Sequence, residues 1–427
     1  MARQQSPMQQ IRAALAAPLP HPLLDRLEAA LGPEKVRFVS KILFYLALLL
    51  MFLGYILWQP VTIPELVAMG LLLVRILGFQ RYTRGQALMV LAAVGVAAAC
   101  AVSSGNVRFA ILCMLACGCQ GISFRKAVGL YVPVLAAALT GPFLMACLGL
   151  APMTGQFPRE GTLLLAGYVN PNGLAAVILG LSLVVAYLRW DRQTHADRIA
   201  LVAVAAFVLL ACGSRAVGAC LLLAAVAKPL ANRFAKDAVD LLPWVIPCCA
   251  AIGALFAMGY TEGGIISDFL DGLFSHRLSK GHTYYQHFGL TLFGQPALIE
   301  TVMDTTSDSF PLDCAYIQLF VRFGLLSWVL FGWAYLKAGQ TAARKGDLGL
   351  VCIIAIFGIY GMMEGYVLSV AINFTLLAAT LLWEPQTSDV EASRAAGAAV
   401  PAGSATPAGA AAPVGTPNPS APEEVIP

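Results

Sequence analysis

Three of the chain's five histidines lie within one short segment, at His276, His282 and His287, and Arg277 and Lys280 lie between them. A neutral imidazole can take a proton from an attacking hydroxyl, and the two basic side chains bind phosphate oxygens. These residue types at this spacing favour a site for a phosphorylated, membrane-embedded substrate. The alternative is an exposed polar loop whose histidines have no chemical role.

A zinc site is a weaker hypothesis for the same histidines. Their spacing, His-x5-His-x4-His, provides no pair at i and i+4 on one helical face. The eleven cysteines form neither a disulfide framework nor a metal-ligand pattern, and most lie in apolar runs. We therefore predict no metal and no cofactor.

Three arginines outside this segment lie in or beside apolar stretches. Arg215 ends a Gly-Ser-Arg turn between two such stretches, where an interfacial anchor and an anionic headgroup contact are both plausible roles. Arg322 lies inside an apolar stretch, where charge is costly and usually functional, and Glu364 is a candidate partner. Arg75 lies about one turn from the end of its stretch, so we expect it to extend to water without a specific function.

Two further polar positions precede apolar stretches. Asn170 and Asn172 flank Pro171, a pattern typical of a helix cap followed by a proline in the first turn. The helix N-terminus exposed there is also suited to an anion. Asp313 is a similar cap candidate, with a role in the site as its alternative.

Composition predicts the elements that must position these residues. Hydrophobic residues make up 59% of the chain, charged residues 12%, and the mean hydropathy is +0.76, whereas about one quarter of a soluble domain is charged. A bilayer core requires about 20 apolar residues per helix, so we predict an all-α polytopic membrane protein with about twelve transmembrane helices. The predicted spans cover 40–58, 61–79, 86–104, 106–122, 127–149, 172–188, 197–213, 215–232, 242–260, 312–336, 349–365 and 366–383.

The basic residues predict the orientation of these spans. Of the 27 lysines and arginines, 20 lie in alternate connections beginning with the N-terminal segment, and five lie in the others. Because cytoplasmic loops carry the excess of positive charge, both termini are predicted to be cytoplasmic. The large loop 261–311, between the ninth and tenth spans, would then face outward. The net charge of +4 thus reports topology and does not imply a nucleic-acid partner.

Three regions follow from this pattern. Residues 1–39 form a cytoplasmic segment with a short amphipathic helix over 22–31, and residues 40–383 form the transmembrane domain. Within the outer loop, residues 264–274 repeat apolar side chains at helical spacing, which predicts a helix on the outer interface. The Ala/Pro-rich tail 384–427 has little to bury and is predicted to be a disordered cytoplasmic tail.

Several short motifs in this order, together with the topology, resemble a known family. They are Tyr168-Val169-Asn170-Pro171-Asn172-Gly173-Leu174-Ala175, Gly213-Ser214-Arg215, His276-Arg277-Leu278, Leu292-Phe293-Gly294, Asp313-Cys314-Ala315-Tyr316 and Arg322-Phe323-Gly324-Leu325-Leu326. Across roughly residues 160–335 the chain resembles the O-antigen ligase and polysaccharide polymerase superfamily of bacterial envelope proteins.

The resemblance implies a glycosyltransferase of the bacterial cytoplasmic membrane. It would use a polyprenyl-pyrophosphate-linked oligosaccharide as donor, without metal or nucleotide, in an inverting transfer on the outer face. Arg215 and Arg277 would bind the pyrophosphate, and a loop histidine, His282 by preference, would activate the acceptor hydroxyl. The three loop histidines do not map cleanly to one family histidine, which is where the chain departs from the pattern.

The other candidate residues take secondary roles in this hypothesis. Arg322 and Lys280 are further pyrophosphate-binding candidates, and His276 and His287 are alternative bases. The supporting candidates are Asn170, Asn172, Tyr284 and Asp313. The partners implied are the lipid-linked oligosaccharide, the lipid bilayer, and a flippase and chain-length regulator of the same pathway.

The leading hypothesis is a polymerase that joins repeat units of an O-antigen or capsule-type polysaccharide. A ligase that moves the finished glycan to a lipid, wall or protein acceptor would share the donor and the site, so both stay open. A secondary transporter is the alternative from another class, but the two halves of the chain are unlike and the polar residues concentrate late in the chain. A membrane scaffold would not need clustered histidines and arginines.

Overall fold

Helices form nearly all the regular structure in the computed structural model, which describes residues 7–56, 63–157, 161–273, 277–297 and 313–384. The predicted helical architecture is therefore confirmed. A two-stranded antiparallel sheet is the exception, and the sequence analysis did not predict it. Its strands are β1, Thr154–Phe157, and β2, Gly161–Leu164.

The α-helices begin and end at the following residues: α1 Pro7–Ala16, α2 Pro22–Leu31, α3 Pro33–Ile56, α4 Ile63–Gly78, α5 Arg84–Ser104, α6 Arg108–Gly118, α7 Phe124–Gly129, α8 Tyr131–Cys147, α9 Pro171–Leu188, α10 His195–Phe207, α11 Arg215–Arg233, α12 Ala235–Leu241, α13 Val245–Gly259, α14 Ile265–Leu273, α15 Arg277–Phe288, α16 Ala315–Ile317, α17 Leu325–Arg344 and α18 Leu348–Met363. Four 3-10 segments cover Trp190–Arg192, Leu242–Trp244, Gly365–Leu368 and Phe374–Trp383. Two π-helical turns cover Val208–Cys212 and Gln318–Arg322.

Seven helical stretches among the described residues are long and apolar enough to cross a membrane. They are Pro33–Gly54, Arg84–Ser104, Phe124–Cys147, Pro171–Leu188, His195–Cys212, Arg215–Arg233 and Asp237–Gly259. Three shorter apolar helices accompany them, at Arg108–Gly118, Leu348–Met363 and Phe374–Trp383. A polytopic membrane protein is thus supported, while the count of twelve spans stays a prediction.

The amphipathic helix predicted over 22–31 is present as α2, with the same bounds. His21 precedes it, and its Nδ1 accepts a hydrogen bond from the Leu24 amide at 3.0 Å. This bond satisfies one of the amides that lack a partner in the first helical turn. Arg81 then contacts Asp25 and Glu28 on α2, each at 2.7 Å.

Helices α9 and α18 run antiparallel, and their contacts define the two ends of the helical bundle. At one end, the Tyr187 hydroxyl donates to Asp347 Oδ2 at 2.9 Å. Lys228, near the C-terminus of α11, donates to the Trp190 carbonyl at this same end. We call it the basic end, because the neighbouring connections carry many lysines and arginines.

The opposite end of the bundle is called the loop end. It contains the N-termini of α9, α11 and α17 and the C-terminus of α18, because each of these helices has its other terminus at the basic end. Helix α15 also contacts this end, through a hydrogen bond from Arg277 to the carbonyl of Met363. The loop end therefore gathers most of the residues that the sequence analysis selected.

The predicted tenth span is interrupted near its middle. It consists of α16, a π-helical turn, a break at Gly324 and then α17. Gly294 and Gly324 both have φ of 86°, and their backbones are too close for a side chain on either residue. Two of the family-like motifs, 292–294 and 322–324, thus contact each other directly.

The predicted twelfth span is an irregular chain rather than an α-helix. Residues 364–373 connect α18 to the 3-10 segment Phe374–Trp383. Asn373 lies in this connection and donates to the Val367 carbonyl at 2.8 Å and to the Tyr335 hydroxyl at 3.1 Å. Irregular backbone at membrane depth requires such internal partners.

Candidate functional site

Helix α15 begins with Arg277, and a carboxylate from α14 caps its N-terminus. Asp271 Oδ1 accepts hydrogen bonds from the amides of Leu278 at 3.0 Å and Ser279 at 2.9 Å. These amides belong to the first turn and have no partner within the helix. Asp271 is 4% exposed, whereas Ile265 on the same helix is 89% exposed. Helix α14 therefore holds α15 with its polar side and turns apolar residues outward, as the predicted interfacial helix requires.

Arg277 binds the C-terminus of α18 and two carboxylates. Its Nε donates to the Met363 carbonyl at 2.6 Å, and its Nη2 donates to Glu364 Oε1 at 2.9 Å. Asp313 Oδ2 lies 3.4 Å from the same Nη2. The last carbonyls of a helix lack internal partners and attract cations. Arg277 thus fixes α15 against the loop end of the bundle.

Two predictions about these carboxylates are wrong. Glu364 pairs with Arg277, not with Arg322, because Arg277 at the start of α15 reaches the C-terminus of α18, which Glu364 follows. Asp313 does not cap α16, since Cys314 holds the N-cap position without a side-chain hydrogen bond. Asp313 instead contacts Arg277, which was its alternative role.

Glu364 lies just beyond α18 and is 4% exposed. Burial raises the pKa of its carboxyl group from 4.5 to about 8, and the neighbouring Asp313 carboxylate acts in the same direction. Arg277 opposes this rise through its charge and its hydrogen bond. The Arg277 guanidinium is therefore held by two carboxyl groups, of which Glu364 retains its proton more strongly than a glutamate in water.

His282 has the hydrogen-bonding state that a general base requires. Its Nδ1 lies 2.8 Å from the carbonyl of Ala257, in the last turn of α13. A carbonyl only accepts, so this nitrogen carries the proton, and Nε2 of the neutral ring keeps a lone pair. Gln286 Nε2 lies 3.5 Å from that lone pair. The same contact secures α15 to α13, so the residue also has a structural role.

The structure describes two other members of the predicted histidine cluster, His287 and Lys280. His287 is exposed and its ring lies 4.6 Å from that of Phe288, and Lys280 is half-buried. His276 lies outside the described residues. Arg277 and His282 are separated by about 140° around α15 and by about 7.5 Å along it. No group of three possible metal ligands is present in the part of the chain that the structure describes.

The predicted cap at Asn170 is present at the N-terminus of α9. Asn170 Oδ1 accepts a hydrogen bond from the Asn172 amide at 2.8 Å, and Pro171 follows the cap. The Tyr366 hydroxyl lies so close to Gly173 that a Cβ there would be 3.4 Å away. Tyr366 follows Glu364 by two residues, so the N-terminus of α9 lies near the group formed by Arg277, Asp313 and Glu364.

Arg215 is the first residue of α11 and is exposed. It has no ion pair with any residue of the described ranges. The turn before it places Gly213 at φ of 67°, against Leu163 of the small sheet. Arg215 and the N-terminus of α11 therefore both lie at the loop end. No carboxylate among the described residues neutralises the charge of Arg215.

Arg322 and Tyr284 form a second cluster, separate from Arg277. Tyr284 lies on the same face of α15 as Arg277, about 10.5 Å further along the helix. Its side chain is 0% exposed, and its hydroxyl makes no hydrogen bond within the described part of the chain. The same holds for the buried Nε of Arg322, whose guanidinium carbon lies 5.8 Å from the Phe323 ring.

The sequence analysis did not select Glu364, Tyr366 or Asp271 as site residues. Glu364 had a signal, because it is the only charged residue between 349 and 383. Asp271 had no such signal in the sequence. It caps α15 from several residues away, and a cap of this kind has no fixed spacing. The contact between Gly294 and Gly324 likewise joins segments that are distant in sequence.

Comparisons with known proteins do not identify a family. No family model matches the chain, and neither a curated protein nor a solved structure matches it.

Proposed function

We propose that this chain polymerises polyprenyl-pyrophosphate-linked oligosaccharide units for a cell-surface polysaccharide. The observation that carries the proposal is the loop end, where Arg277, Arg215 and the capped N-terminus of α9 lie at one end of an apolar bundle. Guanidinium groups bind pyrophosphate oxygens through paired, charge-assisted hydrogen bonds. Such a site suits a donor whose head group is anionic and whose tail is dissolved in the membrane.

The proposed topology has about twelve spans, with both termini in the cytoplasm. Lysines and arginines concentrate at the basic end, among them Arg125, Arg189 and Lys228. The positive-inside rule favours a cytoplasmic position for that end. The loop end would then face outward in a bacterial cytoplasmic membrane, where a flipped lipid-linked sugar is available.

In the proposed reaction, a hydroxyl oxygen of the acceptor sugar attacks the anomeric carbon of the donor. The new carbon–oxygen bond forms as the bond to the pyrophosphate oxygen breaks, and the configuration inverts. Nε2 of His282 takes the hydroxyl proton, while polyprenyl pyrophosphate leaves with the bonding electron pair. Arg277 and Arg215 stabilise the negative charge that develops on the leaving group. Lys280, on α15, and Asn172, in the first turn of α9, are further candidates for contacts with the leaving group.

Arg277 and His282 lie on different sides of α15, about 7.5 Å apart along the helix and about 140° apart around it. The anomeric carbon must lie between the activated hydroxyl and the pyrophosphate, so the two protein groups need not touch. The substrates would therefore have to extend around the helix to meet both groups. Asp313 and Glu364 keep Arg277 in position while the substrate binds.

Transport is the alternative that one observation favours, since residues 364–373 interrupt the last predicted span. Asn373 lies at the end of this interruption and contacts Thr375 and Tyr335, and all three are buried. Their side chains hydrogen-bond to one another at 2.5–3.1 Å, which leaves few polar groups for a solute. Glycosyl transfer therefore has the stronger support.

The proposal is tested by complementing a deletion strain and measuring the length of its surface glycan. Arg215→Ala and Arg277→Ala are expected to insert normally and to lose long-chain glycan. Arg192→Ala removes an exposed arginine from the basic end and should restore the full ladder. If both loop-end variants still build full-length glycan, the proposal is wrong.

The same profile separates polymerase from ligase. Loss of the ladder with single repeat units retained on the acceptor indicates a polymerase. Accumulation of free lipid-linked polymer indicates a ligase.

A further inference from the structure

We propose that Arg322 and Arg108 bind the phosphate head of a second polyprenyl-linked substrate, the acceptor, whose chain lies in an apolar cleft beside α6. This inference rests on the proposed function and deepens it. We call this groove the tail cleft. It lies between α5, α6, α17 and the segment Phe374–Trp383, and its lining includes Met89, Phe109, Leu112, Trp333, Leu376 and Leu382.

The head-group position is defined by two neighbouring arginines. Arg108 is the first residue of α6 and is exposed, and the residues that follow the two arginines, Phe109 and Phe323, have ring centroids 6.1 Å apart. Neither arginine has a carboxylate within ion-pair distance in the described part of the chain. Two like charges in the same region without a counter-ion repel each other, so an anion between them would be stabilised.

Buried donors without acceptors point to the same place. The Nε of Arg322 and the hydroxyl of Tyr284 are both buried and without a hydrogen-bond partner among the described residues. Tyr284 is fully buried, and the next residue, Tyr285, stacks on Phe320 in the π-helical turn that ends at Arg322. Buried donors are almost always satisfied in native proteins, so each such group calls for an explanation. Phosphate oxygens accept from both guanidinium and hydroxyl groups.

The tail cleft begins beside this arginine pair. Phe109, which lines the cleft, follows Arg108, and its ring lies 6.1 Å from that of Phe323, which follows Arg322. From there the cleft extends along α6 to Ala116 and Trp383, a length of about 12 Å along the helix. The head-group site and the cleft are therefore continuous.

The lining of the cleft favours an isoprenoid chain over a sugar or a solute. Most of its residues are aliphatic or aromatic. Its polar members, Tyr335 and Thr375, hydrogen-bond to each other at 3.1 Å and to Asn373. A branched apolar chain with an anionic head matches both the cleft and the arginines.

Two separate head-group sites meet a requirement of the reaction. Polymerisation joins two lipid-linked substrates, so the enzyme must bind two anionic head groups at once. Arg277 is held by two carboxylates and lies about two helical turns from Tyr284. The second site, without carboxylates, can hold the acceptor while the first holds the donor.

The test uses the full-length protein in nanodiscs of phosphatidylcholine and a polyprenyl phosphate probe with a photoreactive group in its chain. After irradiation, mass spectrometry of peptides should find the label on peptides containing Leu112, Trp333 and Leu376. The double variant Arg108→Ala/Arg322→Ala should lower this labelling at least fivefold. Arg192→Ala, which removes one exposed arginine elsewhere, should leave it unchanged.

Further variants keep the test decisive if the double variant folds poorly. Arg322→Lys keeps the charge and should retain most of the labelling. Ala379→Trp fills the cleft without touching either arginine and should abolish labelling there. Labelling of the cleft at the wild-type level in both Ala379→Trp and the double variant would overturn the inference.

Competition identifies the occupant. Unlabelled polyprenyl phosphate should displace the probe, whereas phosphatidylglycerol at the same concentration should not. Equal displacement by phosphatidylglycerol would mean a general anionic-lipid site and would overturn the inference.

The outcomes for the inference and for the proposed function are distinguishable. Arg277→Ala should lose polymer but keep the cleft labelling. If labelling follows the expected pattern while Arg277→Ala still makes polymer, the proposed donor site fails and the lipid site stands. If Arg277→Ala loses polymer but the Arg108→Ala/Arg322→Ala variant keeps the wild-type level of cleft labelling, only the inference fails.

Discussion

Arg75 and Arg322 are both largely removed from water, yet their surroundings differ. Arg75 is 2% exposed and donates to the carbonyls of Ser40 at 2.8 Å, Gln120 at 2.7 Å and Gly118. Arg322 has no side-chain hydrogen bond within the described residues. An arginine that stabilises the fold, such as Arg75, has its donors hydrogen-bonded within the protein. An arginine whose donors lack partners, such as Arg322, is suited to bind an external anion.

Arg277 is intermediate between these two. Its Nε and Nη2 are engaged by Met363, Glu364 and Asp313, while Nη1 makes no hydrogen bond within the described part of the chain. It can fix α15 and still offer donors to a ligand.

Arg277→Ala is expected to have the largest effect. It removes the anchor of α15 and a predicted ligand of the leaving group, so the transfer rate should fall by about 100- to 1,000-fold. Arg277→Lys keeps the charge but loses the planar guanidinium group that makes paired hydrogen bonds, and should recover only part of the rate. The measurement is the initial rate with purified protein and lipid-linked substrate. A lysine variant as active as wild type would contradict the role of paired hydrogen bonds.

Arg75→Ala should mainly affect stability. Three hydrogen bonds from a buried charged group are lost, and three carbonyls lose their partner, which we expect to cost about 3 kcal/mol or more. The thermal midpoint in detergent should fall by several degrees, while the transfer rate per folded molecule stays the same. This also corrects the expectation that Arg75 extends to water. An unchanged midpoint would contradict the structural role.

Glu364→Gln should change how stability depends on pH. The folded state binds the Glu364 proton up to about pH 8, whereas an unfolded glutamate releases it near pH 4.5. Because the folded state binds more protons in this interval, the contribution of Glu364 to stability falls as pH rises from about 5 to 8. The variant should show a flatter curve of thermal midpoint against pH. A curve as steep as that of wild type would show that Glu364 does not titrate in this range.

Tyr284→Phe and Tyr316→Phe form a matched pair with small effects. The Tyr316 hydroxyl donates to the Gly358 carbonyl at 2.8 Å, so its removal should cost about 1 kcal/mol. The Tyr284 hydroxyl has no such partner among the described residues, so its removal should leave stability equal or slightly higher. The KM for the acceptor should rise a few-fold only in Tyr284→Phe. Equal destabilisation by both variants would contradict the expected difference between a hydrogen-bonded and an unbonded tyrosine hydroxyl.

Metal removal should have the smallest effect. The proposed chemistry uses arginines where other glycosyltransferases use a metal, so a chelator should leave the rate of purified enzyme unchanged. Inhibition that added metal reverses would contradict the metal-independent mechanism.

Much of the fold could be predicted from the sequence because bilayer thickness and helical periodicity act locally. The helix over 22–31, the turn at Gly213 and the cap at Asn170 all depend on residues within a few positions of one another. The interfacial helix α14 follows from the same kind of pattern. These features are present where the sequence predicts them.

The candidate site was less predictable, because its contacts join distant segments. Arg277 binds residues near 363, a separation that no spacing rule covers. Gly324, at the break in the predicted tenth span, contacts Gly294 across the sequence, and Glu364 pairs with Arg277 instead of Arg322. The sequence identified arginines as important, but not which helix end each one binds.

One measurement tests the central claim most directly. Purified protein in nanodiscs is supplied with a single lipid-linked repeat unit, and released polyprenyl pyrophosphate and glycan length are followed together. The account predicts that each added unit releases one polyprenyl pyrophosphate, and that Arg215→Ala and Arg277→Ala abolish both. Wild-type protein that releases none, or variants that release it at the wild-type rate, would contradict the account.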